Sequence, residues 1–296
     1  MGLGKESARQ LAMIEGTEKI YLACRNLTKA REALRSLEKS TGKSVFEIVI
    51  MDVSDPNSVR SAVEGLNEPI DALIMNAGGM GGKSPMKRNS DGVTSLFATN
   101  VLGHAVLLNE LIKAKKLTKV ALYAGSEGAR GVEEMGMPRP SLNTSSTDEF
   151  ASVIDGTLFE EDTDPMEAYG YVKYTAAMWM SAEARKNPDI RFITMSPGFT
   201  KGTAVMNDLP PAKKLMFKYI MIPIVAPLKG MVHKLEKGAG RFVDGINNES
   251  FQSGVFYASK ANRLVGPVID QSILFEDLKN TAYQDNAHEA IQRYVQ

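Results

Sequence analysis

Short apolar runs alternate with longer segments whose apolar positions recur every three or four residues. Glu6–Ile14 has the helical pattern, with Leu11, Ala12 and Ile14 at suitable spacing. Lys19–Cys24 (KIYLAC), Ser44–Met51 (SVFEIVIM), Ile70–Met75 (IDALIM), Lys119–Ala124 (KVALYA), Arg191–Met195 (RFITM) and Gly254–Ala258 (GVFYA) read as strands. Between them, Leu27–Thr41, Asp55–Gly65, Asp91–Lys115 and Met166–Lys186 read as helices. Gly42 closes the first of these, and Pro56 stands near the start of the second, where a missing N–H is harmless. Strands that are apolar throughout, alternating with helices, predict a parallel sheet covered on both faces: a doubly wound α/β fold. There is no internal repeat and no low-complexity linker, so 1–296 is expected to form one domain. In such sheets ligands lie at the carboxyl ends of the strands. Arg25, Asp52, Asn76, Ser126 and Ser196-Pro197-Gly198 all follow predicted strand ends.

Composition narrows the functional classes. With 43% hydrophobic and 24% charged residues the chain is globular in type. Lys plus Arg and Asp plus Glu balance at 35 each, so no global field attracts nucleic acid. The single cysteine, Cys24, excludes an intramolecular disulfide and suits a reducing, cytoplasmic setting. His104, His233 and His288 are too scattered to suggest a metal site. The first residues lack the apolar core of a secretory signal. Tyr219–Leu228 is too short and too proline-broken to span a bilayer, so no transmembrane segment is expected.

The candidate chemistry lies between Gly125 and Lys173. Gly125-Ser126 follows a strand. Tyr169 and Lys173 are four residues apart, one turn of a helix and the same face. An ammonium beside a phenol favours tyrosinate, so Lys173 is expected to lower the Tyr169 pKa from about 10. Ser126 could hold a substrate oxygen against that phenol. One Tyr-x-x-x-Lys is a weak signal by itself.

Taken in order, Gly2-Leu3-Gly4, Arg25-Asn26, Asp52-Val53, Asn76-Ala77-Gly78, Asn100-Val101, Gly125-Ser126, Tyr169-x-x-x-Lys173 and Pro197-Gly198 resemble the short-chain dehydrogenase/reductase family over nearly the whole chain. The resemblance implies a Rossmann fold and an NAD(P)-dependent oxidoreductase. Its catalytic set would be Asn100, Ser126, Tyr169 and Lys173. Tyr169 would be the general acid, Ser126 a donor to the substrate oxygen, and Lys173 a partner of the nicotinamide ribose. Asn100 would bind a water that relays protons through Lys173. For the cofactor, Gly2, Leu3 and Gly4 would meet the pyrophosphate. Asp52 and Val53 would meet the adenine, and Asn76, Ala77 and Gly78 would let the cofactor pass close to the backbone. Pro197, Gly198 and Thr200 (or Thr203) would flank the nicotinamide. Arg25 suits a 2′-phosphate, which favours NADP(H) over NAD(H).

Three departures qualify the resemblance. The family's opening apolar strand and Thr-Gly are missing. The start is therefore expected to be truncated, with upstream codons encoding about ten residues, an apolar strand ending in Thr-Gly. Gly131–Asp164 is a long insertion between Ser126 and Tyr169, which makes a monomer as reasonable as a homodimer. Thr203–Gly245 would be a substrate lid, rich in Met and flanked by lysines, as in the retinol dehydrogenase and protochlorophyllide reductase branches. Such a lid suits a hydrophobic small molecule and peripheral membrane contact. The expected activity is hydride transfer between NADP(H) and a carbonyl or alcohol. The alternatives are a non-catalytic dinucleotide-binding regulator and a reductase of a conjugated C=C.

Overall fold

A computed structural model describes residues 2–133, 137–201 and 232–295. Most of the expected lid, including Thr203, lies outside these residues. Among the described residues seven strands form: β1 Ile20–Cys24, β2 Phe46–Ile50, β3 Ile70–Met75, β4 Leu117–Ala124, β5 Arg191–Met195, β6 Val255–Ser259 and β7 Val268–Asp270. The first six pair in parallel, and β7 closes the sheet antiparallel to β6. Helices cover both faces, as the pattern of apolar strands predicted.

Local chemistry sets the helix ends. Asn26 caps Leu27–Thr41 by accepting from Lys29 N at 2.9 Å, and Gly42 ends that helix in the left-handed conformation. Asp55 caps Pro56–Glu64 in the same way. The helix expected from Asp91 starts at Ser95, because Asn89 takes the backbone N–H groups of Asp91 and Val93 in a turn and Thr94 becomes the cap. That Ser95–Lys113 helix is the one described helix long and apolar enough to cross a membrane, but it is mostly buried within the fold. The insertion holds a helix, Thr147–Asp155, and the last part of the expected lid is the Leu235–Asn247 helix. The closing Thr281–Val295 helix packs on Pro165–Lys186.

The sheet is not continuous. β1 pairs with β2 alone, and β3 begins a second sheet in the order β3-β4-β5-β6-β7. All of β1 and all of β3 line one cavity of about 1690 Å³. The Leu3–Ala12 helix covers it on one side, through Leu3, Ser7 and Leu11, and the Ser95–Lys113 helix reaches it through His104 and Leu107. Two buried polar atoms lack a hydrogen-bond partner among the described residues, Ser7 Oγ and His104 Nδ1. Both residues line this cavity.

Candidate active site

Ser126 is placed where β4 leaves the sheet. Gly125 N still donates to Met195 O at 2.9 Å. A Cβ at Gly125 would lie 2.9 Å from both Phe256 and Thr194, so the strand end has room only for glycine. Ser126 then caps the short turn Glu127–Arg130, its Oγ accepting from Gly128 N at 3.2 Å. Tyr169 lies in the second turn of the Pro165–Lys186 helix, which opens on Pro165 with Asp164 accepting from Met166 N. The Ser126 hydroxyl lies near enough to the Tyr169 phenol to favour its ionised form. Lys173 Nζ lies 5.5 Å from the Tyr169 ring centroid. Ser126, Tyr169 and Lys173 thus meet at the carboxyl end of β4.

The electrostatics run opposite to the expectation that Lys173 lowers the Tyr169 pKa. Desolvation pushes the phenol up to about 12; the Ser126 hydrogen bond opposes this and the Glu127 charge adds to it. Lys173 is 4% exposed, and burial brings its ammonium down to about 7. Its Nζ donates to Tyr123 Oη at 2.9 Å and to Ala124 O at 3.0 Å. The arrangement therefore holds a protonated phenol beside an amine that titrates near neutrality.

Asn100 sits in a π-helical turn, Ala98–Leu102, inside the Ser95–Lys113 helix. Its amide donates to Gly79 O and Leu96 O, both at 2.8 Å, and accepts from Gly79 N at 3.2 Å. The side chain is thus committed to backbone. The Asn100 backbone carbonyl accepts from the Tyr123 hydroxyl at 2.9 Å. The expected link between Asn100 and Lys173 is made here by a phenol side chain.

The expected cofactor residues divide into two groups. Gly2, Leu3, Gly4, Arg25, Asp52, Val53, Asn76, Ala77 and Gly78 line the same cavity between β1 and β3. Gly2 caps the Leu3–Ala12 helix without a side chain, leaving the first backbone N–H groups of the helix for an anion. A Cβ at Gly78 would fall 2.6 Å from Asn100 Oδ1, and one at Gly4 would fall 2.9 Å from Asn76 Nδ2, so an amide side chain packs directly on each glycine backbone. Arg25 is exposed at the end of β1. Burial raises the Asp52 carboxyl, but two bonds from Ser54 and the charge of Arg25 outweigh it and hold it low. That set of donors fits a dinucleotide phosphate chain. Pro197, Gly198 and Thr200 form the second group, after β5. Gly198 is in the left-handed region at φ 69°, and Thr200 Oγ1 donates to Pro197 O and Gly198 O. Neither this turn nor Ser126 and Tyr169 lines the first cavity.

Residues 1–122 match the family model for short chain dehydrogenases. A Bos taurus protein, dehydrogenase/reductase SDR family member 12, is 30% identical over 212 residues, 71% of this chain and 61% of its own length. The chain belongs to the short-chain dehydrogenase/reductase family. The short-chain dehydrogenase TIC 32 B of Brassica napus is 31% identical over 62% of this chain and 55% of its own length. Human retinol dehydrogenase 12 is 32% identical over 40% and 38%. The chain thus spans about three fifths or less of these curated relatives. Among solved structures, an uncharacterized protein from Mycobacterium paratuberculosis superposes with a TM-score of 0.67 at 19% identity, covering 100% of this chain and 90% of that one. An NADPH-bound short chain oxidoreductase from Pseudomonas aeruginosa superposes at 0.61 and 12% identity, over 86% and 90%. These structures show the Rossmann fold.

Several residues around the site of this short-chain dehydrogenase/reductase carried no sequence signal. Glu127 is buried and joins three strand ends: its carboxylate accepts from Ser196 Oγ (2.5 Å) and Ser259 Oγ (2.9 Å) and faces Arg241 at 3.6 Å. Arg241 in turn donates to Ser196 O and Gly266 O. His104 was read only as one of three scattered histidines. It is fully enclosed, with Nε2 2.7 Å from Ala77 O, and burial brings it down to about 4 despite that contact. A folded pKa below the ordinary value of about 6.5 means that protonation favours unfolding. The contribution is present above about pH 6.5 and is lost as pH falls towards 4, at most about 3 kcal/mol. Urea melts at pH 7 and pH 4.5 should show this loss, and His104→Gln should remove most of it.

Proposed function

We propose that the chain is an NAD(P)-dependent oxidoreductase moving hydride between NADP(H) and the carbonyl or alcohol of a hydrophobic small molecule. The observation that carries this reading is the meeting of Ser126, Tyr169 and Lys173 at one strand end, on a fold whose neighbouring strand ends carry Arg25, Asp52 and Asn76–Gly78. When bound, a nicotinamide supplies or accepts the hydride. The chain's residues handle the oxygen. Tyr169, protonated well beyond neutral pH, donates to a carbonyl oxygen as charge builds on it. Ser126, beside that phenol, offers a second hydrogen bond to the same oxygen. Lys173 presents a buried amine beside the phenol. Asn100 holds Gly79 and the strand end after β3 in place.

The substrate class rests on the Met-rich composition of 203–231 and on relatives named for retinol. The test is NADPH oxidation with a panel of apolar aldehydes and ketones. Turnover of long-chain or isoprenoid carbonyls above small polar ones supports the reading; no turnover with any of them removes it.

Cofactor choice rests on Arg25, an exposed guanidinium at the end of β1 with no carboxylate beside it in the chain. A guanidinium suits a 2′-phosphate and a carboxylate suits a ribose diol. Arg25→Asp should reverse the ratio of NADPH to NADH affinity by about tenfold or more, roughly 1.4 kcal/mol. Fluorescence titration with both nucleotides measures it, and an unchanged ratio would move the phosphate site elsewhere.

A further inference from the structure

We infer that Tyr123 is a positioning residue of this site: its hydroxyl, held by the carbonyl of Asn100, fixes the Lys173 amine at the place where Tyr169 can reach it. The catalytic part of this statement rests on the function proposed above. Tyr123 lies near the end of β4 and is 0% exposed. Its ring is gripped edge-on by His104 (6.0 Å, 81°) and Trp179 (6.3 Å, 84°), so the phenol has one direction in which to point. Packing alone would be served by phenylalanine. The hydroxyl makes two further bonds, to Asn100 O at 2.9 Å and to Lys173 Nζ at 2.9 Å. Their polarity is forced. A carbonyl only accepts and an ammonium only donates, so the one phenolic proton goes to Asn100 and a lone pair faces Lys173.

That polarity has a chemical consequence. A water between Asn100 and Lys173 could hand on protons and exchange. Tyr123 would have to become a tyrosinate to do so, in a site where burial raises its pKa well above the ordinary value. The hydroxyl is therefore an anchor. The anchor also favours the charged amine, because an acceptor aimed at an ammonium opposes the desolvation that lowers it. The ionisable groups facing Lys173 among the described residues are Tyr169 from its own helix, Tyr123 from β4 and His104 from the Ser95–Lys113 helix. None is a carboxylate, so Tyr123 Oη and Ala124 O carry the stabilisation.

Tyr123→Phe removes the hydroxyl and keeps the ring. The experiment reads the Lys173 amine by nitrogen NMR, assigned with Lys173→Met, together with kcat against pH and NADPH affinity. The titration midpoint should fall by about one pH unit or more, about tenfold in the ratio of charged to neutral amine. The fall of kcat with rising pH should move by the same amount, while NADPH affinity below pH 6 stays within about twofold. A lowered melting temperature with an unmoved midpoint would make Tyr123 a packing residue and overturn the proposal. Should Tyr123→Phe not fold, the unaltered protein decides: a slowly exchanging Tyr123 hydroxyl proton with a cross-peak to the Lys173 amine is expected, and fast exchange overturns it. If no carbonyl turns over at all, the proposed activity fails, and the Lys173 titration still settles the anchor.

Discussion

Tyr169→Phe should cost turnover of any carbonyl substrate about 10²–10⁴-fold while leaving NADPH affinity within about twofold. The phenol is the group positioned to protonate the substrate oxygen, since it alone joins Ser126 on one side and approaches Lys173 on the other. Removing its oxygen deletes the proton and keeps the ring that packs at the strand end. Single-turnover hydride transfer should fall as far as kcat, because the loss is in the chemical step. The pH profile separates the two titrating groups. The phenol, at about 12, stays protonated through the working range, so a fall of reduction near neutrality belongs to Lys173, at about 7. Lys173→Met should erase that limb, and a limb that survives would return the neutral titration to another group. Equal turnover in Tyr169→Phe would remove this residue from the mechanism.

Much of this geometry was legible in the sequence, for specific reasons. Strands announce themselves when both faces are covered, so Ile70–Met75 and Arg191–Met195 were readable to the residue. Leu27–Thr41 was readable because Gly42 closes it through local chemistry. The Tyr169 and Lys173 pair was readable because helical spacing alone puts both on one face. What was not legible depends on burial. The charge of Lys173 looked sufficient to lower its neighbour's pKa, but the pattern gives no measure of desolvation, which raises one group and lowers the other. Tyr123 looked like any apolar strand residue, since its bond to Asn100 spans 23 positions and its bond to Lys173 spans 50. Glu127 carried no signal in the sequence; only the fold brings Ser196, Ser259 and Arg241 around it. β7 escaped because a three-residue strand has no period to detect.

An apolar strand joined ahead of Gly2 should raise the melting temperature by on the order of 10 °C and tighten NADPH binding at least about a hundredfold, roughly 2.7 kcal/mol. The argument starts from the edges. β1 and β3 each pair on one side only, and their other edges face the same cavity. An unpaired strand edge leaves N–H and C=O groups that a neighbour would satisfy. The cavity has a helix over each face and is lined by Leu3, Leu22, Leu73 and Leu107, so side chains of an inserted strand would find apolar surroundings both above and below. Ser7 and His104, which carry the two orphaned polar atoms among the described residues, line the cavity as well. The strand would run parallel to both neighbours, because the helices that follow can cross back only in the right-handed sense. About ten ladder bonds at roughly 1 kcal/mol each offset most of the ordering entropy of six residues, and burial of three or four large apolar side chains leaves several kcal/mol. The gain in cofactor affinity follows from geometry. Arg25 belongs to the β1–β2 pair and Asn76–Gly78 to the larger sheet, so a strand bonded to both fixes the two halves of the phosphate and adenine cradle against each other. Calorimetry and NADPH titration of chains with and without such an extension test this. A control extension of the same length rich in Gly and Ser should do nothing. If the apolar extension leaves both melting temperature and affinity unchanged, the slot is not a strand site and the two sheets are held together by their helices alone.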